Sequence, residues 1–466
     1  MRGGQQLKTA LDKTIIGKWI ITLAIPLMIF CIPTGEIFTK DLQLFLMITI
    51  GVILAVAFEF FNLMIPALLL PLLYILAGLS TFNVAFSGFA SSTAILVVGA
   101  LLFANVLEES GLLKRVAYWC ILRTGGSFVG ILYGIVLAGI ALTLMTSGNG
   151  IYIIATLCYG VCRAFNLGVS KESALIMLCG AFASTTIRAC VYTPGLMAIV
   201  LGGAQSVDPS ITVSWGGFLF HNWPYLIFIL TLPIVLTKLL KPTVTIENGK
   251  AYFQKAYSDL GPVTANEKKA AVLTVILLVF LLTTSWHKID MAIGFCLIPI
   301  LFFMPGINIG TEQNIKDINF SMVFFIVACL GIGAVSSSLG FGSLVSSTLS
   351  PLLASSGDKL ALIVIWLFGV LANFLLTPLA ILAGFSAPIT QLAIDLGINP
   401  LGALYVLFNT LDQIVLPYEY VNYLMFFSFG VISMKDFIQI MGIKLIIGAV
   451  FLALVLYPWW HVVGVL

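Results

Sequence analysis

Long apolar runs recur from one end of the chain to the other, with short polar stretches between them. The first covers about residues 15–33, enough to cross roughly 30 Å of hydrocarbon as a helix. Runs of similar length follow at about 42–58, 62–79 and 92–109. Two apolar pieces, about 128–146 and 151–165, are then split by Ser147-Gly148-Asn149-Gly150. Further runs lie at about 173–201, 222–238, 270–286, 289–304 and 319–337. A second split pair, about 360–376 and 379–397, precedes runs at about 400–434 and 437–459. Helices are the elements such runs predict, because a single segment in hydrocarbon must satisfy its own backbone. The expected fold is an all-α polytopic membrane protein with about 11 transmembrane helices and two re-entrant hairpins.

The basic residues orient these runs. Lys8, Lys13 and Lys18 place the N-terminus in the cytoplasm, and Lys114, Arg115, Arg123, Arg163 and Lys171 belong on the same side. Each split pair must therefore enter and return without a net crossing, as a re-entrant hairpin or as two full spans. The polar loop at about 238–269 holds Lys238, Lys241, Lys250, Lys255, Lys268 and Lys269 and is cytoplasmic by the same rule. Lys435 is then inside and the C-terminus outside, and the short loops fit a plasma membrane. No small-residue cleavage site follows the first run, so a retained span is expected there.

An internal repeat organises the chain. An offset of 229 places Val98-Gly99-Ala100-Leu101-Leu102 on Val327-Ala328-Cys329-Leu330-Gly331, Gly111 on Gly340, and Asn149 on Pro378. An offset of 223 places Thr193-Pro194-Gly195 on Leu416-Pro417-Tyr418. One repeat is entered from outside and the other from inside, which is an inverted-topology repeat, with its binding site near the bilayer midplane. The expected division is 1–41 for the N-terminus and first transmembrane helix, and 42–240 for the first repeat with its hairpin near 128–165. A cytoplasmic loop at 241–269 follows, then 270–466 for the second repeat with its hairpin near 360–397.

Composition agrees with the pattern. Of 466 residues, 60% are hydrophobic and 9% charged, against about 25% charged in a soluble domain. The net charge of +3 gives nucleic acid little to bind. The eight cysteines form no CxxC pair and read as small apolar residues. No cofactor is expected.

Four polar places interrupt the hydrocarbon-length runs. At Ser147-Gly148-Asn149, hydroxyl, amide and glycine N–H groups at a helix N-terminus suit a carboxylate, unless the stretch is a plain surface turn. Thr377-Pro378 holds the mirrored position, as a second tip or a simple kink. Arg188 lies in the middle of an apolar run, where an ionisable group needs a cavity or a partner, and Thr185, Thr186 and Thr193 surround it in sequence. Its fork suits a carboxylate, and a structural ion pair is the alternative. Asn409, Asp412, Pro417 and Glu419 occupy the second interrupted run. The two acids are able to balance Arg188, carry a proton or ligate a cation.

These residues resemble the divalent anion:sodium symporter family, within the ion transporter superfamily. Phe86-Ser87-Gly88-Phe89-Ala90 and Glu109-Ser110-Gly111-Leu112-Leu113-Lys114-Arg115 look like its early signature. Ser147-Gly148-Asn149 and Thr377-Pro378-Leu379 fall at its two Ser-Asn-Thr hairpin tips, neither of them intact. Thr193-Pro194 and Pro417 fall at its two broken spans. The resemblance implies a homodimer working by elevator-type movement on di- or tricarboxylates such as succinate, malate, 2-oxoglutarate or citrate. The residues and the resemblance together point to substrate contacts at Ser147, Gly148, Asn149, Arg188, Thr193, Thr377, Pro378 and Pro417. Coupling contacts would be Thr185, Thr186, Asn409, Asp412 and Glu419. Arg188 falls beside the expected first sodium site, so proton coupling or anion exchange is favoured over sodium. Transport of another anion such as sulfate, an intramembrane enzyme and an anion channel are the other readings. The enzyme reading lacks an HExxH pair and a well-placed buried histidine, and ATP-driven transport lacks a GxxxxGK[ST] loop.

Overall fold

The computed structural model describes residues 2–58, 60–124, 127–148, 150–242, 249–353, 357–374 and 376–466. It is helical throughout, with no strand among the described residues. Six helical segments there are long and apolar enough to cross a membrane, or seven if the bent pair Trp215–Asn222 and Pro224–Leu240 is one span. Four more apolar helices are shorter: Ile15–Phe30, Met64–Leu76, Ile151–Ala164 and Met291–Leu301. The run expected at 62–79 is one of these. Asn62 accepts a hydrogen bond from the Met64 N–H at its start, and Gly78 turns the chain at φ 73° just beyond its end.

Most bounds follow the apolar pattern, and the differences have local causes. The first helix, Arg2–Phe30, begins well before its apolar part. The run expected at 173–201 is broken into Lys171–Thr185, a 3-10 turn Thr186–Ala189 and Pro194–Gln205, because Pro194 cannot continue the preceding helix. The run expected at 400–434 is broken likewise, into Pro400–Thr410, a 3-10 turn Pro417–Glu419 and Val421–Ser428. The polar loop carries its own helix, Gly249–Ser258. Two amphipathic helices absent from the expected spans, Leu112–Thr124 and Phe341–Leu353, lie before the two hairpins. The offset of 229 carries the first of these onto the second, end to end.

The two halves interlock. The first hairpin, Phe128–Thr146 with Ile151–Ala164, packs on Lys171–Thr185, and Gly139 lets the backbones close: a Cβ there would lie 2.4 Å from that of Ala183. Such contacts replace the missing hydrophobic drive between helices in lipid. In the second half, Gly357–Ala372 and Pro378–Asp395 flank the second hairpin tip. Each broken helix leans on the opposite half: Pro194–Gln205 on Pro378–Asp395, and Lys171–Thr185 on Val421–Ser428 and Met434–Phe451. Peripheral helices are apolar on both faces. In Ala265–Leu282, Leu273, Leu277 and Leu281 are buried, while Val272, Val275, Val279 and Leu282 are exposed, as a lipid-facing wall requires. The polar start of that helix is anchored by Arg115. Its Nε lies 2.7 Å from Glu267 Oε1, and its other nitrogens donate to the carbonyls of Leu260, Gly261 and Pro262.

Candidate functional site

The helix Phe128–Thr146 ends because Ser147 and Gly148 take left-handed backbone, with φ 52° and 102°. The carbonyl of Gly148 is thereby turned toward the first broken helix. There the 3-10 turn Thr186–Ala189 presents Arg188. Its Nη2 donates to Gly148 O at 2.6 Å, its Nε to Ser184 O at 3.1 Å, and its Nη1 to the Tyr420 hydroxyl at 3.3 Å. The guanidinium thus ties the first hairpin tip to both broken helices. A Cβ on Gly148 would stand 3.2 Å from Arg188 Nε and 3.2 Å from Thr193 Cγ2, so this position needs glycine for space as well as for φ.

Two small cavities meet at Arg188. One, of about 50 Å³, is lined by Ser147, Gly148, Arg188 and Thr193 together with apolar residues of the helices Ser92–Glu109 and Phe320–Ser338. The other, of about 20 Å³, is lined by Thr185, Thr186, Arg188, Asn409, Asp412 and Gln413 among others. At roughly 10–15 Å³ per water they hold between one and a few waters. Each contains a buried donor with no partner: Thr193 Oγ1 in the first, Asn409 Nδ2 in the second. Unsatisfied buried donors are rare, and these two lie beside one guanidinium; the second cavity also holds the unpartnered Gln413 Oε1. Larger clefts, of about 330–500 Å³, lie elsewhere, near Leu466, Tyr252 and Trp366. Arg188 lines none of these, although the last is lined by Trp366, whose buried indole N–H also has no partner among the described residues.

Asp412 lines the second cavity. Its carboxylate accepts from Thr186 Oγ1, from the Tyr423 hydroxyl at 2.5 Å and from Lys444 Nζ at 2.6 Å. Thr185 Oγ1 lies 2.8 Å from the same Tyr423 hydroxyl. Glu419 is buried, but its carboxylate accepts from the backbone N–H groups of Val415 and Leu416 and serves the turn that ends the break. Neither acid pairs with Arg188 among the described residues.

The sequence-derived set therefore divides. Ser147, Gly148, Arg188 and Thr193 share one cavity, and Thr185, Thr186, Asn409 and Asp412 share the other with Arg188. Thr377 and Pro378 line neither. Thr377 caps the helix Pro378–Asp395 by accepting from Ala380 N, and Pro378 opens it. Pro417 begins the 3-10 turn and is buried away from both cavities. Asn149 lies outside the described residues. The glycine N–H groups of the first tip, expected to face an anion, are used within the tip itself. Gly148 N bonds Thr143 O at 3.2 Å, and Gly150 N bonds Thr146 Oγ1 at 2.8 Å. It is the Gly148 carbonyl that faces the site. Lys444, Tyr420, Tyr423 and Gln413 were not singled out in sequence. Lys444 carried the same signal as Arg188, an isolated charge within an apolar run.

Comparison with known proteins agrees with this frame. The profile of the family described as the sodium:sulfate symporter transmembrane region matches residues 13–466. A membrane protein of Cupriavidus necator is 27% identical over 269 residues, covering 55% of this chain and 52% of its own. An L-tartrate/succinate antiporter of Shigella dysenteriae is 23% identical over 280 residues, covering 57% of each. The chain spans about half the length of the curated relatives it matches. The solved structure of the YdaH transporter of Alcanivorax borkumensis aligns with a TM-score of 0.56 at 16% identity, over 82% of this chain and 88% of that one. That likeness bears on the fold.

Proposed function

The chain belongs to the sodium:sulfate symporter transmembrane-region family, and from that membership we propose that it is a secondary transporter of small di- or tricarboxylate anions. The observation that carries the reading is Arg188, half-buried between two cavities and bonded only to neutral oxygens of the first hairpin tip and the two broken helices. A substrate carboxylate is the partner its fork lacks. Thr193 and Asn409 add the free donors on either side. Membership in a transporter family, and a relative named as a tartrate/succinate antiporter, favour transport over the enzyme reading. A small inorganic oxyanion such as sulfate would suit the same donors.

At the expected first sodium position the residues favour a built-in charge over a bound ion. Arg188 donates to the Gly148 carbonyl that an ion at the tip would need as a ligand. We therefore favour a fixed guanidinium in place of that ion, with coupling by a proton on Asp412 or Glu419, or by exchange. The cavities are too small for a dicarboxylate, so loading requires the tip to part from the broken helices. Alternating access by elevator movement of a homodimer in the plasma membrane, with two inverted repeats, is the mechanism proposed for that opening.

The test is uptake of labelled succinate, malate, 2-oxoglutarate, citrate and sulfate into proteoliposomes, with wild type and Arg188→Ala. Uptake of at least one carboxylate, abolished or made cation-dependent by R188A, is the expected result. Uptake of sulfate alone overturns the carboxylate assignment. An R188A protein with unchanged rate and ion dependence overturns the role of Arg188.

A further inference from the structure

Lys444 lies in the middle of the apolar helix Met434–Phe451 and is 1% exposed. Its Nζ donates to Asp412 Oδ2 at 2.6 Å and to the backbone carbonyl of Asp412 at 2.5 Å. The faces of Phe182 and Tyr423 stand 5.3 Å and 5.8 Å away. Asp412 belongs to the unwound stretch between Thr410 and Pro417, where the broken helix frees carbonyls from their ladder. A freed carbonyl, a carboxylate and ring faces around one buried positive charge are the surroundings an inorganic cation at such a break would use. Here a lysine attached to the neighbouring helix supplies that charge.

The consequence for Asp412 is direct. Its carboxylate meets three partners, Thr186, Tyr423 and Lys444, so both of its oxygens are engaged. The consequence for Arg188 is the converse: with Asp412 held by Lys444 and Glu419 by backbone N–H groups, no carboxylate of the described residues pairs with the guanidinium. Tyr225 and Tyr420 line the same cavity and are neutral donors.

We propose that Lys444 is the resident cation of the second helix break. By holding Asp412 it reserves Arg188 for the anion being carried, so the protein exchanges one anion for another and uses neither sodium nor a proton as coupling ion. The proposal rests on the anion-transport reading above. Its physical basis is the empty state: once the anion leaves, an unpaired guanidinium would have to pass the hydrocarbon, which is unfavourable by several kcal/mol. A second anion removes that barrier, so return of the empty carrier is suppressed and exchange is what remains.

The experiment uses the full chain, reconstituted into proteoliposomes, with labelled succinate outside. Vesicles are empty or preloaded with unlabelled succinate, with or without inward sodium or proton gradients. Malate, citrate and sulfate are run in parallel. Preloading is expected to raise uptake at least tenfold, and either gradient to change it less than twofold. Lys444→Gln is expected to lose exchange at least tenfold, and Lys444→Arg to retain it. Net uptake into empty vesicles driven by sodium or protons overturns the proposal and leaves the transport reading standing. So does K444Q exchanging at the wild-type rate. No uptake of any of the four anions under any condition overturns the transport reading itself, and this proposal with it.

Discussion

Thr193 and Asn409 make the sharpest statements at the level of single residues, because each holds a buried donor that bonds nothing in the described conformation. Removing such a donor forfeits no folded-state hydrogen bond, while a substrate oxygen that it meets loses one. Thr193→Val is therefore expected to leave thermal stability unchanged and to raise the half-saturation concentration for the carried anion. A hydrogen bond to a charged group is worth about 1.5–3 kcal/mol, roughly a tenfold to hundredfold weakening. Transport assays beside a melting curve check it, and an unchanged half-saturation concentration removes Thr193 from the site. Gly148 makes a different statement. Gly148→Ala would press a methyl group on Arg188 and Thr193 at a φ of 102°, costing about 1–2 kcal/mol of backbone strain. Lower stability and slower transport are expected together, measured as melting temperature and exchange rate. Arg188 and Asp412 were legible in the sequence because a charge inside an apolar run demands a reason. The partner each takes was not, since pairing across 32 residues from Asp412 to Lys444 is set by tertiary packing.

Among the elements, the apolar runs were legible to within a few residues wherever a capping residue or proline marks the end. Ser127, Ser170, Thr264, Thr377 and Ser433 each accept a backbone N–H at the start of a helix. Both breaks were legible from Arg188 with Thr193-Pro194 and from Asp412 with Pro417, but their extent was not, because Thr185 through Tyr192 and Leu411 through Leu416 are mostly apolar. The amphipathic helices Leu112–Thr124 and Phe341–Leu353 were missed because they are shorter than a span and half polar. One of them is pinned by the Arg115–Glu267 pair, which lies in the polar first turn of Ala265–Leu282, before its apolar part. Burial alone would raise the Glu267 carboxyl, but hydrogen bonds from Arg115 and Thr264 outweigh it and hold the group below its usual value. A carboxyl lowered by folding contributes stability above its unfolded pKa, and that contribution is lost as pH falls through the folded value. Glu267→Gln is accordingly expected to melt several degrees below wild type at neutral pH. The gap should narrow below about pH 4, where wild type is protonated as well. A gap that stays constant from pH 7 to pH 3 shows that the charge of Glu267 contributes nothing.

At the scale of the whole molecule, the inverted relation proposed for the two halves depends on the parity of the crossings. Basic residues assign the sides: the stretch after the first helix is expected outside and the stretch before Met434–Phe451 inside. Two positions report this without disturbing the core. Cys31 is an exposed free cysteine just past Phe30, whereas Cys296 is half-buried and the other six cysteines are buried. Lys435 is exposed at the start of the last long helix. A membrane-impermeant maleimide is expected to label Cys31 in right-side-out vesicles, with Cys31→Ser as the control. In a C31S background, Lys435→Cys is expected to be labelled only in inverted vesicles. An odd number of crossings between the two positions, with both hairpins returning to the side they entered, gives this result. Labelling from one side alone makes the number even. One split pair would then be a full crossing, and the inverted relation of the two halves would fail with it.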